Sequence, residues 1–200
     1  MFTGIIQAIG KIEKIDALEQ GVRLSIDAGA LEMDDVALGD SIAANGVCLT
    51  VIAKTANGYQ VDVSRETLNC TAGLGNAGAE INLEKAMRLS DRLGGHLVSG
   101  HVDGVGSVVA FDPVGECFLL RIRAPHDIAK YIAYKGSITV NGVSLTVNSV
   151  EHDEFTINLI PHTLEMTTLK HLKAGSPVNL EVDLLARYVD RLNSFANEQI

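Results

Sequence analysis

The sequence predicts an all-β protein: two similar small antiparallel barrels in tandem, followed by one amphipathic α-helix. Three observations carry this. The 200-residue chain repeats itself at an offset of about 96 positions, as a search for internal repeats shows. Ser41-Ile-Ala-Ala-Asn-Gly-Val-Cys-Leu-Thr-Val51 falls on Ser137-Ile-Thr-Val-Asn-Gly-Val-Ser-Leu-Thr-Val147, and Glu66-Thr67-Leu68 on His162-Thr163-Leu164. One extra residue brings Gly78–Glu84 onto Gly175–Glu181. Both halves are then dominated by period-two alternation, the mark of half-buried strands. Beyond the second repeat the period changes to that of a helix.

In the first half, Val22, Leu24 and Ile26 alternate with polar neighbours, as do Tyr59, Val61 and Val63, then Ile81 and Leu83. Asn57-Gly58 reads as a hairpin because both residues tolerate positive φ. Asn45-Gly46 and Asn141-Gly142 mark tight turns at equivalent places. The second half echoes the strands with Leu120 and Ile122, then Phe155, Ile157 and Leu159, then Val178, Leu180 and Val182. The runs come to about six short strands per half. One short helix per half is expected, at Leu31–Leu38 and at His126–Tyr134. The first barrel is assigned to residues 1–96 and the second to 97–193, with a helix over about 184–197. In that tail Leu185, Tyr188, Val189, Leu192 and Phe195 recur at helical spacing. Such a stripe packs either on the chain's own barrels or in a bundle with other subunits.

Composition narrows the class. The chain is 46 % hydrophobic but only 4 % aromatic, with no Trp, so Val, Ile, Leu and Ala build the cores. Lys and Arg number 16 against 25 acids, a formal charge of −9, without the basic cluster that nucleic acid requires. Cys48, Cys70 and Cys117 have neither disulfide nor zinc spacing, and neither a signal peptide nor a membrane span is discernible. A cytoplasmic protein with no metal, no nucleic-acid partner and no membrane partner is expected.

Met1-Phe-Thr-Gly-Ile-Ile6 resembles the opening of the riboflavin synthase family, the lumazine-binding proteins. So do Asn45-Gly-Val-Cys-Leu-Thr50, Gly94-Gly-His-Leu-Val-Ser-Gly-His101, Asn141-Gly-Val-Ser-Leu-Thr146 and Pro161-His-Thr-Leu164. The resemblance covers essentially the whole chain. It implies two six-stranded Greek-key barrels and a trimerising C-terminal helix. The implied activity is a dismutation without cofactor: two molecules of 6,7-dimethyl-8-ribityllumazine exchange a four-carbon unit, giving riboflavin and 5-amino-6-ribitylaminouracil. It also implies a homotrimer, a working site between the first barrel of one subunit and the second barrel of the next, and lumazine synthase as an associated partner. Ala8 stands where glycine is common in the opening motif, and Cys70 lies in a loop that is often more basic.

By the same resemblance Cys48, His101, Phe2 and Ser41 are candidates for the chemistry. Cys48 faces Ser144 in the repeat, so a thiol would act in one pocket only; the competing reading is a small packed residue. His101 faces Ile5, and an imidazole suits proton transfer at the lumazine's acidic methyl group, against an ordinary hydrogen-bonded histidine. Phe2 either packs near the ring or plugs the barrel. Ser41 and Ser137 either meet ligand or satisfy local turns. The implied ligand contacts are Gly4, Ile5 and Ile6; Leu49 and Thr50 beside Cys48; Asp62, Val63, Ser64, Glu66 and Thr67; Gly100 and Val102 beside His101; Lys135; Ser144, Leu145 and Thr146; and Ile160, Pro161, His162 and Thr163. Lys135 faces Gly39 in the repeat and reaches either the ribityl chain or solvent. A noncatalytic lumazine or flavin carrier of the same fold is the rival. Against it, the second half keeps both Ser99-Gly-His101 and Asn141–Thr146, which a single-site carrier does not need.

Overall fold

The computed structural model describes residues 1–197. The first half folds as β1 (Ala8–Leu18), β2 (Gly21–Asp27), β3 (Ser41–Ala44), β4 (Val47–Lys54), β5 (Gly58–Ser64), α1 (Arg65–Cys70) and β6 (Glu80–Lys85). The second half gives β7 (Gly104–Val114), β8 (Cys117–Arg123), α2 (His126–Ala129), β9 (Ser137–Val140), β10 (Val143–Glu151), β11 (Glu154–Leu159), α3 (Pro161–Met166), a 3-10 turn at Thr168–His171, and β12 (Pro177–Val182). Helix α4 (Leu184–Asn197) follows. Each half closes into an antiparallel barrel, in the orders β1-β2-β5-β4-β3-β6 and β10-β11-β8-β7-β12-β9. The alternating residues fill them: Leu24, Ile26, Val61, Ile81 and Leu83 in one core, and Leu120, Ile122, Phe155, Ile157 and Leu180 in the other.

The helix expected at Leu31–Leu38 is a run of turns. Its carbonyls are taken from outside: Lys54 Nζ donates to Met33 O and Val36 O, and Lys85 Nζ to Glu32 O. Side chains thereby replace the i→i−4 ladder. Of the segment expected at His126–Tyr134, only His126–Ala129 is helical, continued by tight turns. Two helices went unforeseen. The segments Asp62–Thr67 and Ile160–Thr163, aligned with ligand strands, each leave the strand and enter a helix, α1 or α3. Ser64 caps α1 by accepting from Thr67 N, and Pro161 opens α3 at its first turn. Asn57-Gly58 does join β4 to β5, but neither residue adopts positive φ; Asn45-Gly46 and Asn141-Gly142 do, at 47°/82° and 48°/81°.

Those two turns meet at the seam between the barrels. A Cβ on Gly142 would lie 2.7 Å from Gly46 N, so the paired turns admit only hydrogen there. Around them runs an exchanged set of asparagine bonds. Asn82 Nδ2 donates to Asn141 O, and Asn179 Nδ2 donates to Asn45 O and Ala72 O. Each half thus satisfies buried backbone of the other. Phe2 and Val98 form a single antiparallel bridge on the same seam.

Candidate functional site

The site begins with a defect in each barrel wall. The β4–β5 ladder runs from Lys54↔Tyr59 to Val51↔Val61, skips a residue on the way, and stops there. Cys48–Thr50 and Asp62–Ser64 therefore splay apart. The β10–β11 ladder likewise stops at Val147↔Ile157, leaving Ser144–Thr146 apart from the end of β11 and Ile160. Backbone edges at such a notch alternate N–H donors and C=O acceptors, the pattern carried by a heterocycle of alternating carbonyls and ring nitrogens.

Each notch is rimmed by the other half of the chain. Cys48 N donates to Gly100 O at 2.9 Å, and Ser144 N donates to Gly4 O at 2.7 Å. Val102 packs on the first core and Ile6 on the second. The two notches thus carry two sets, Cys48–Thr50, Asp62–Ser64 and Gly100–Val102 at one and Gly4–Ile6, Ser144–Thr146 and Ile160 at the other, with Arg65–Thr67 and Pro161–Thr163 leading away from them into α1 and α3. His101 belongs by position with Cys48, not with the second-half residues among which the sequence places it. The crossing of the two leading segments is the reason.

Not every side chain in these sets faces the notch. Leu49 and Val63 point into the barrel core, so only their backbone is presented. Cys48 is half-buried and Thr50 exposed on the outer face of β4. Asp62 is held by Arg23, in a two-pronged pair at 2.7 and 2.9 Å that keeps its carboxyl below the ordinary range. Ser64 and Thr67 bond each other within the helix cap, and Glu66 accepts from the Cys70 thiol, pushing that thiol up. Pro161 and His162 are exposed and Thr163 half-buried at the start of α3. Lys135 sits at φ 61°, matching Gly39 at 91°, and its Nζ lies 5.4 Å from the Tyr134 ring centroid. A bulky residue in the left-handed region marks a position held by its surroundings.

Phe2 is fully buried in a small cluster with Ala43 and Val98, against Cys48. It lies outside both barrel cores, and its ring backs Cys48. Ser41 lies directly across from Thr50, at the edge of a concavity of about 450 Å3 also lined by Lys85 and Arg88.

Sequence reasoning gave no role to three groups here. His96 is 92 % buried, its Nδ1 2.7 Å from Ser144 Oγ, and burial pushes its pKa down despite the counter-pull of Asp183. Glu84 and Glu181 sit at matched positions of β6 and β12. Burial raises both carboxyls, while hydroxyl and backbone donors pull them back. The signal was available: Asn82, Glu84, Asn179 and Glu181 are polar residues duplicated on outward strand positions. Among the described residues no three His, Cys, Asp or Glu side chains gather as a metal site, and no helix is long and apolar enough to cross a membrane.

Two closed barrels with notched walls, each notch rimmed by the opposite half, define a duplicated ligand-binding protein with two related, non-identical sites. The profile of the lumazine binding domain matches residues 3–86 and again 99–183. A riboflavin synthase from Photobacterium phosphoreum is 49 % identical over 193 residues, covering 96 % of this chain and 88 % of the relative. One from Brucella abortus (strain 2308) is 44 % identical, covering 98 % and 99 %. The chain belongs to the lumazine-binding family that includes these riboflavin synthases. Among solved structures, LumP complexed with riboflavin superposes at TM-score 0.82 with 29 % identity, over 91 % of this chain and 99 % of that one. LumP complexed with 6,7-dimethyl-8-(1'-D-ribityl)lumazine gives 0.81 and 27 %, with the same coverage.

Proposed function

We propose that the protein is a riboflavin synthase, a transferase that takes two molecules of 6,7-dimethyl-8-ribityllumazine to one of riboflavin and one of 5-amino-6-ribitylaminouracil. The observation that carries this reading is the pair of notches, alike in backbone and unlike in side chains. One substrate type used in two roles needs two sites that read the same heterocycle edge but treat its reactive atoms differently. Cys48 against Ser144, and His101 against Ile5, supply that difference. In this reading the notch backbone binds the pyrimidine edge, Cys48 and His101 handle nucleophile and proton at one substrate, and Ser144, with His96 behind it, serves the other. Lys135, Glu66 and the hydroxyls of Thr50 and Thr146 suit the ribityl chains.

The two notches must face each other for a four-carbon unit to pass, and the exposed apolar stripe of α4 offers the means. Leu185, Tyr188, Val189, Leu192 and Phe195 are 48–70 % exposed in the single chain. Packing on the chain's own barrels does not cover them. A homotrimer held by α4, bringing the first barrel of one subunit against the second barrel of the next, satisfies both needs and supplies the proximity on which the reaction depends. The setting is the cytoplasm.

The carrier reading keeps some support from the LumP likeness. His101 no longer argues against it, since it rims the Cys48 notch. What does is the second notch with Ser144 and His96, together with the higher identity to synthases. Purified protein mixed with the lumazine alone, followed by absorbance, decides: riboflavin and the aminouracil are expected in equal amounts. Tight binding without turnover would leave the carrier.

A further inference from the structure

Glu84 and Glu181 are 3 % and 2 % exposed, and the chemistry proposed above leaves them unused. Glu84, in β6 of the first barrel, accepts Thr3 N and Thr3 Oγ1 at 2.7 Å and Gly4 N at 3.0 Å. Glu181, in β12 of the second, accepts Ser99 N at 2.7 Å, Ser99 Oγ at 2.6 Å and Gly100 N at 3.0 Å. Hydrogen bonds to an ionised acceptor are short and about twice as strong as neutral ones. Three on one carboxylate leave a two-residue segment little freedom.

Topology gives these clamps their meaning. The segment held by Glu84 continues to Gly4 O, which accepts Ser144 N of the second barrel. The segment held by Glu181 continues to Gly100 O, which accepts Cys48 N of the first. Gly100 is so close that a Cβ on it would lie 2.7 Å from Cys48 Cβ. We propose that Glu181 and Glu84 are positioning residues that act across the seam: Glu181, rooted in the second barrel, sets the Cys48 notch of the first, and Glu84, rooted in the first, sets the Ser144 notch of the second. A residue serving only its own barrel's stability would have the opposite pattern of effects.

Cysteine alkylation on the full chain separates the two. Cys48 lies in β4 of the first barrel and Cys117 in β8 of the second, both half-buried. Without ligand, Glu181→Gln should raise the iodoacetamide rate at Cys48 about tenfold, the scale of one lost charged hydrogen bond, and leave Cys117 unchanged. Glu84→Gln, whose Thr3–Gly4 segment reaches Cys48 only through the neighbouring Phe2 ring, should raise the Cys48 rate clearly less than Glu181→Gln does. A rise at Cys117 with Cys48 in Glu181→Gln, an equal rise at Cys48 in Glu84→Gln, or no change at Cys48 in Glu181→Gln overturns the proposal. Should Glu181→Gln not fold, Ser99→Ala trims one of the three bonds and must give the same pattern. A second arm rests on the proposed function: riboflavin should protect Cys48, less well in Glu181→Gln than in Glu84→Gln. Absence of protection in the unsubstituted protein would sink the ligand assignment, while the ligand-free rates still judge the clamps.

Discussion

Cys48 and Gly100 stand 52 positions apart in the chain, in opposite halves, yet a 2.9 Å hydrogen bond from Cys48 N to Gly100 O makes them neighbours in one site. The thiol is thereby held at the boundary of the two barrels, with the Phe2 ring behind it. The matching Ser144–Gly4 bond places a hydroxyl in the same frame. The two sites differ by side-chain chemistry laid over one backbone plan.

Cys48→Ser should convert the first notch toward the second in chemistry while keeping its shape. Riboflavin affinity should change less than threefold, and turnover should fall by on the order of 10², the lower range for one positioned acid, base or nucleophile. Steady-state kinetics beside a fluorescence titration check both. Unchanged turnover would leave Cys48 as packing.

Gly142→Ala should destabilise the protein by about 1–3 kcal/mol, since it combines a left-handed backbone with a close contact. Gly39, at φ 91° with nothing within 4 Å of a Cβ, provides the comparison: Gly39→Ala carries the backbone cost alone. Urea titration of the two variants should show the larger loss at Gly142. Equal losses would mean the seam yields without strain.

His96 predicts an acid limit to stability. Burial lowers its pKa in the fold below the unfolded value of about 6.5. Between those two values the unfolded chain binds the extra proton and the native chain does not, so stability falls as pH drops below about 6.5 and is fully present above it. His96→Gln should flatten that part of the curve. Parallel pH profiles of the unfolding midpoint for variant and parent would remove His96 as the cause.

A chain ending at Asp183 should keep both barrels and lose the proposed trimer. Each apolar side chain of the α4 stripe contributes about 1.5–3 kcal/mol when fully sequestered. Turnover should drop by at least on the order of 10², because proximity of the two substrates is lost. Truncation also removes Arg187, which pairs with Asp103 at 2.6 Å and donates to His101 O. Leu192→Glu, which spares Arg187, should therefore dissociate the assembly similarly in sedimentation. A monomeric variant of full activity would place both sites within one subunit.

The barrels were legible because their cores obey a period of two and the repeat doubles every signal. Helix α4 was legible down to its ends, Leu184 and Asn197, because its apolar spacing has no competitor nearby. The Leu31–Leu38 segment misled because Lys54 and Lys85, distant in sequence, satisfy its carbonyls. Tertiary bonds there override local preference. The motif residues around Cys48 and Ser144 were visible, yet their grouping was not: nothing in the spacing says that Gly100 and Gly4 cross to the opposite barrel. His96 hid for a related reason, since its partner Ser144 lies 48 positions away.

The exchanged asparagines bear on how such a chain comes into being. Asn82 must reach a carbonyl 59 positions ahead, and Asn45 O waits for an amide 134 positions later. During synthesis from the N-terminus, the first barrel therefore emerges with these groups turned to water, and its seam closes only when β12 has been made. Contacts of such sequence separation slow folding, and they bind the fate of the halves together. The repeat lays down two barrels; the crossed side chains make them one folding unit, in which neither seam is completed without the other half.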